Sequence, residues 1–79
     1  MDKKEIREKV CEVIDEDYGF SGIDDQDFLK GDLGMDSLDV VEMVINLEKI
    51  LSVHISDDET SEIERMTVGE LVDFLAKKV

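Results

Sequence analysis

Apolar residues recur at helical spacing in four segments of this chain, and no segment alternates them as a strand would. In the first, from about Lys3 to Glu16, Ile6, Val10, Val13 and Ile14 fall within one arc at about 100° per residue. Asp2 and Glu5 supply a capping-box pattern at its start. The second segment spans about Ser37 to Leu51, with Asp36 placed as N-cap and Asp39 in the first turn. A short third helix is expected after Ser56, where Ser56 and Glu59 repeat the box. The last begins after Thr67, with Glu70 three residues on; Val68, Leu71, Val72 and Leu75 form its buried stripe and Phe74 its edge. Proline is absent. The expected fold is all-α: a small four-helix bundle of three main helices and one short one, with a long first loop. At 79 residues the chain has room for a single domain, 1–79, and none for a second core, a catalytic barrel or a dinucleotide-binding fold.

Residues 17–35 form the long connection and hold four of the five glycines. A loop of this length in a compact domain usually carries function or its own anchors. Tyr18, Phe20, Ile23, Phe28, Leu29 and Leu33 are spaced as anchors that pin it over the helices. Asp24, Asp25 and Asp27 suggest a calcium loop. Counting from Asp25, however, the fifth position is Leu29 and the sixth Lys30, where an EF-hand needs an oxygen ligand and a glycine. No metal site is expected.

Acids outnumber bases 22 to 9, a net charge of −13, which excludes a nucleic-acid binder, since phosphate backbones call for Lys and Arg. The excess is concentrated: residues 11–64 hold 17 acids against Lys30 and Lys49. That stretch is either a solvated acidic surface or a docking surface for basic partners, and charge alone does not choose between them. No run approaches the ~20 apolar residues of a membrane span. The opening MDKKEIREKV lacks the apolar core of a secretory signal, so the expectation is a cytoplasmic chain without membrane insertion.

Catalytic constellations are missing from the sequence. Its one histidine, His54, and one cysteine, Cys11, lie in different segments, and no glycine-rich phosphate loop, metal-ligand spacing or nucleophile elbow is present. Cys11 sits just off the apolar arc of the first helix and reads as a packing residue; His54 reads as a surface or hinge residue. A single cysteine also excludes an internal disulfide.

The second helix carries the anomaly. Val40, Met43, Val44, Leu47, Ile50 and Leu51 fill one broad arc, the core face, while Leu38, Val41 and Ile45 lie together on the opposite side, flanked by Asp39, Glu42 and Glu48. A helix apolar on two faces is either buried on both or binds something with the outer one, and double burial is difficult in a chain this short. Ser37 stands at the first turn, just before the outward stripe. Serine is a common helix-start residue, yet Asp36 can already fill the capping role. A hydroxyl here would hold an attached phosphate beside unpaired N–H donors and the positive end of the helix dipole.

Asp32-Leu33-Gly34-Met35-Asp36-Ser37-Leu38 resembles the D-L-G-x-D-S-L motif of acyl carrier proteins. The likeness continues through Asp39-Val40-Val41-Glu42-Met43-Val44, Leu47-Glu48 and Ile55-Ser56-Asp57-Asp58-Glu59, and resumes at Met66-Thr67-Val68-Gly69-Glu70. The resemblance implies a non-catalytic, monomeric carrier whose Ser37, between Asp36 and Leu38, receives a 4′-phosphopantetheine arm from coenzyme A by the action of a phosphopantetheinyl transferase. The thiol of that arm would carry acyl chains as thioesters to basic surfaces on fatty acid synthesis or acyltransferase enzymes. Leu38, Asp39, Val41, Glu42, Ile45 and Glu48 match the family's recognition helix, with Ile55 expected to extend its apolar part. Lys49-Ile50-Leu51, Ser56 in place of a frequent proline, and His54 depart from general fatty-acid carriers. A specialised carrier for a polyketide, lipid or amino-acid pathway is therefore the alternative. A further reading, from another class, is an unmodified acidic interaction module.

Overall fold

The computed structural model describes residues 1–19 and 22–79 and contains four helices: α1 (Lys3–Tyr18), α2 (Ser37–Leu51), α3 (Asp57–Ile63) and α4 (Val68–Ala76). Each begins where a local cap places it. Asp2 accepts from the backbone N–H of Glu5 at 2.9 Å, half of the box expected there. At α2, α3 and α4 both halves form, through Asp36 with Asp39, Ser56 with Glu59 and Thr67 with Glu70. The first helix runs two residues past the expected Glu16, because Tyr18 continues the helix before Gly19 closes it by donating its N–H to Asp15 O.

α1 packs against α4 and α2, and α2 packs against α3. The core takes Ile6, Val10, Val13 and Ile14 from α1, Val40, Met43, Val44, Leu47 and Leu51 from α2, Ile63 from α3, and Val68, Leu71, Val72 and Leu75 from α4. Each such side chain withdrawn from water contributes about 1.5–3 kcal/mol before the cost of ordering the chain. No polar or charged residue is buried among the described residues. The helices therefore associate through apolar contact, and the acids are left to the surface.

Two apolar assignments on and beyond α2 are corrected. Ile50, placed on the core face by helical arithmetic, is 44% exposed: it sits at the rim of the arc in the last turn, where the core ends. Ile55, expected to extend the outward stripe, is 5% exposed and belongs to the core. It lies in the link between α2 and α3, where helical periodicity no longer assigns a direction. Its N–H donates to Glu48 Oε2 at 3.1 Å, which turns the link inward.

The long connection is pinned by aliphatic side chains and backbone bonds more than by aromatics. Leu29, Leu33 and Met35 are buried, and Tyr18 and Ile23 pack half-buried against the core. Phe28 is 48% exposed; the backbone anchors this position through an isolated antiparallel bridge to Thr67. Phe20 lies outside the described residues. The N–H groups of Val68 and Gly69, among the unpaired donors that open α4, are taken by Asp27 O and Asp25 O at 2.9 Å each. Glycine suits that close approach: a Cβ on Gly69 would stand 3.1 Å from Asp25 O, and the connection would have to give by a few tenths of an ångström. The acidic cluster is spent on the same architecture. Asp24 and Asp27 close a turn by mutual bonds, and Asp25 accepts from Arg7 Nε at 2.6 Å.

Candidate functional site

The connection ends in a turn that sets Ser37 at the surface. Gly34 N donates to Lys30 O at 3.1 Å and Met35 N to Leu29 O at 3.1 Å, so Leu33 and Met35 point into the core on either side of Gly34. Gly34 has φ +70°, in the left-handed region that glycine enters without a Cβ penalty. The chain then extends at Asp36, whose carboxylate accepts from Asp39 N at 2.8 Å while Asp39 returns the bond to Asp36 N at 3.1 Å. With the cap supplied by Asp36, the Ser37 side chain is released from that duty. It is exposed at the first residue of α2. The intrahelical ladder starts with Val40 N to Asp36 O, so the N–H groups of Ser37 and Leu38 precede it and face the same end.

Two residues far off in sequence meet the hydroxyl. Ser37 Oγ donates to Glu64 Oε1, and Lys30 Nζ lies 3.4 Å from Ser37 Oγ and 3.3 Å from Glu64 Oε1. Lys30 comes from the connection and Glu64 closes α3. The hydroxyl's bond, helped by Lys30 and opposed by partial burial, holds the Glu64 carboxyl below the ordinary carboxylate range. A base is thus near Ser37 in space, although none was visible near it in sequence. It is a weak one, because a carboxylate stabilised in its charged form resists taking a proton. The surface depressions lined by Arg7, Cys11 and Ile23 and by Lys3, Gly69 and Val72 lie at α1 and α4, away from Ser37. Cys11 is half-buried, and that burial pushes its thiol up, away from the thiolate a nucleophile needs.

The fit to a phosphoester is direct: an exposed hydroxyl, a helix N-terminus with backbone donors ahead of the ladder, and an ammonium within hydrogen-bond reach. Glu64, in contact with the hydroxyl, is a charge that opposes it.

Around the turn of α2 from Ser37, Leu38 is 64% exposed and Ile45 45%, with Val41 exposed between them. Glu42 is exposed and Asp39 half-buried beside this stripe. Glu48 is half-buried and partly committed, accepting from Ile55 N and facing His54 Nδ1 at 3.7 Å. The sequence-predicted stripe is therefore assembled on one face, without Ile55. Two further ties fix this helix: Tyr18 Oη donates to Asp39 O at 2.8 Å and Asn46 Nδ2 to Asp17 Oδ2 at 2.7 Å.

Sequence reasoning missed Lys30, Glu64 and Tyr18 as neighbours of this site. Lys30 had a usable signal, since it and Lys49 are the two bases among 17 acids in residues 11–64. Glu64 had none, being one acid among many whose role depends on how α3 is laid against α2.

A family profile described as "Phosphopantetheine attachment site" matches residues 4–75. An acyl carrier protein of Guillardia theta is 37% identical over all of this chain and 98% of its own length. One from Chlorobium luteolum is 36% identical over 99% of this chain and all of its own. Among solved structures, the acyl carrier protein from Enterococcus faecalis superposes with a TM-score of 0.82 at 33% identity, each chain covered in full.

Proposed function

The chain belongs to the acyl carrier protein family, and from that premise we propose that Ser37 is its attachment residue and the outer face of α2 its docking surface. The chain is a carrier: its prosthetic group is 4′-phosphopantetheine, whose thiol holds acyl groups as thioesters when bound. The observation that supports Ser37 is its place: exposed, first in α2, and freed from capping by the Asp36–Asp39 box. A phosphopantetheinyl transferase, with coenzyme A as donor, would reach this oxygen without opening the core. In that transfer Ser37 Oγ bonds to phosphorus, adenosine 3′,5′-bisphosphate leaves, and the hydroxyl proton passes to the enzyme or solvent.

The chain's own residues then act by positioning. Asp36 caps α2, the Ser37 and Leu38 N–H groups lie ahead of its hydrogen-bond ladder, and Gly34 supplies the turn before it. Leu38, Val41 and Ile45 offer an apolar strip, and Asp39, Glu42 and, in part, Glu48 surround it with negative charge. That combination suits basic patches on fatty acid synthesis or acyltransferase enzymes, where charge speeds encounter and a small apolar contact leaves dissociation fast. A monomer meeting such enzymes in the cytoplasm is the reading these features support.

The test is incubation with coenzyme A and a phosphopantetheinyl transferase, followed by intact mass. One phosphopantetheine is expected on the parent chain and none on Ser37→Ala. The same addition on Ser37→Ala would remove Ser37 from the role, and no addition to the parent would return the chain to the reading of an unmodified interaction module.

A further inference from the structure

Ser37 Oγ, Lys30 Nζ and Glu64 Oε1 form a closed triangle of contacts contributed by three separate segments: the connection, the start of α2 and the end of α3. The hydroxyl uses both of its capacities there, donating to Glu64 and accepting from Lys30. In the unmodified chain the arrangement is balanced, one anion and one cation sharing a neutral hydroxyl.

Esterification of Ser37 unbalances it in two ways. The oxygen loses its hydrogen, so it can no longer donate to Glu64. An anionic phosphodiester also arrives one bond beyond the oxygen, close to a carboxylate and within reach of an ammonium. Like charges at this separation repel, and the backbone donors at the start of α2 favour the phosphate in place. Glu64 is the C-cap of a short helix and is partly exposed, so it has solvent to turn into. Lys30 has a flexible four-carbon stem and three donors, which suit it to follow the stronger anion.

We propose that Lys30 and Glu64 are a two-position charge pair that distinguishes the free Ser37 hydroxyl from its phosphodiester: Glu64 holds the hydroxyl before attachment, and Lys30 transfers its ammonium to the phosphate afterwards. This inference rests on the reading of Ser37 as the attachment residue. Both are positioning residues; neither forms or breaks a bond. The unmodified chain presents a neutralised pair at the base of the arm, and the loaded chain presents a phosphate neutralised by Lys30 beside an uncovered Glu64 carboxylate. An enzyme touching this corner meets a different charge pattern in the two states.

The experiment follows the Lys30 side-chain nitrogen by NMR in the ¹⁵N-labelled chain before and after modification, with intact mass confirming the state of each sample. The Lys30 Nζ resonance is expected to shift on attachment and to gain a scalar coupling to ³¹P. Glu64→Gln is expected to move that resonance in the unmodified chain and leave it in place in the modified one, which a purely structural role for Glu64 would not do. A Lys30 resonance identical before and after attachment, or moved equally by Glu64→Gln in both states, overturns the charge pair while leaving Ser37 as the attachment residue. Failure of the parent chain to gain mass overturns both.

Discussion

Removing the phenol of Tyr18 should loosen the seam on which the site is built. This residue closes α1 and donates to Asp39 O at 2.8 Å, linking that helix across 21 residues of sequence to the first turn that carries Ser37. Tyr18→Phe keeps the ring and deletes one hydrogen bond. The Asp39 carbonyl retains its place in the intrahelical ladder, so the loss is that of one ordinary bond, about 1 kcal/mol. A chain of 79 residues has a total stability of roughly 4–12 kcal/mol, and 1 kcal/mol corresponds to about 4–8 °C in Tm. Thermal melting followed by helical circular dichroism at neutral pH reads it. The phenol also has a pH signature, set by its surroundings. Burial, followed by the carboxylates of Glu42, Asp39, Asp17 and Asp36, pushes the phenol from 10 up to about 12. A midpoint raised by folding means that the neutral phenol stabilises the folded state. That contribution is whole below the unfolded midpoint of 10 and is lost as pH climbs through about 12. Tyr18 is the only tyrosine and tryptophan is absent, so tyrosinate absorbance belongs to this residue alone. A Phe variant that melts within about 1 °C of the parent would refute the argument that this seam is held by the Tyr18–Asp39 bond; a phenol that titrates in the folded chain at its denatured-state midpoint would refute its burial beside these carboxylates.

Two other outcomes are expected. Ser52, which ends α2 at φ +55°, is the non-glycine residue with positive φ among the described residues; Ser52→Gly should raise stability by about 1 kcal/mol in denaturant titration, and a neutral or lower midpoint would show that the Ser52 side chain offsets the strain. Glu42→Lys should leave the helical spectrum and Tm close to the parent and slow acyl transfer to at least one basic partner enzyme, most strongly at low salt; unchanged rates at low salt would move the docking surface elsewhere.

Much of the helical frame was legible because its signals are local. Asp36 with Asp39, Ser56 with Glu59 and Thr67 with Glu70 each stand three residues apart, and each pair forms its box where the spacing places it. The exposed place of Ser37 at the start of α2 was legible for the same reason, since Asp36 beside it takes the cap. The misread residues are those whose orientation is decided by distant chain. Phe28 stays half-exposed because Leu29, Leu33 and Met35 fill the space beneath the connection. Ile55 turns inward through Glu48, beyond the point where a 3.6-residue period assigns faces. Ile50 turns outward because the arc outruns the core. Lys30 and Glu64 reach Ser37 across 7 and 27 residues, and only the packing of α3 and the connection around α2 brings them there.

The claim that one serine tethers the prosthetic group is tested most directly by fragmentation mass spectrometry of the chain isolated from its own cell. The chain has five serines: Ser21, Ser37, Ser52, Ser56 and Ser61. The account predicts fragment ions that place a phosphopantetheine on Ser37 and leave the other four unmodified. Localisation to any of those four, or a chain with no such addition, would contradict it.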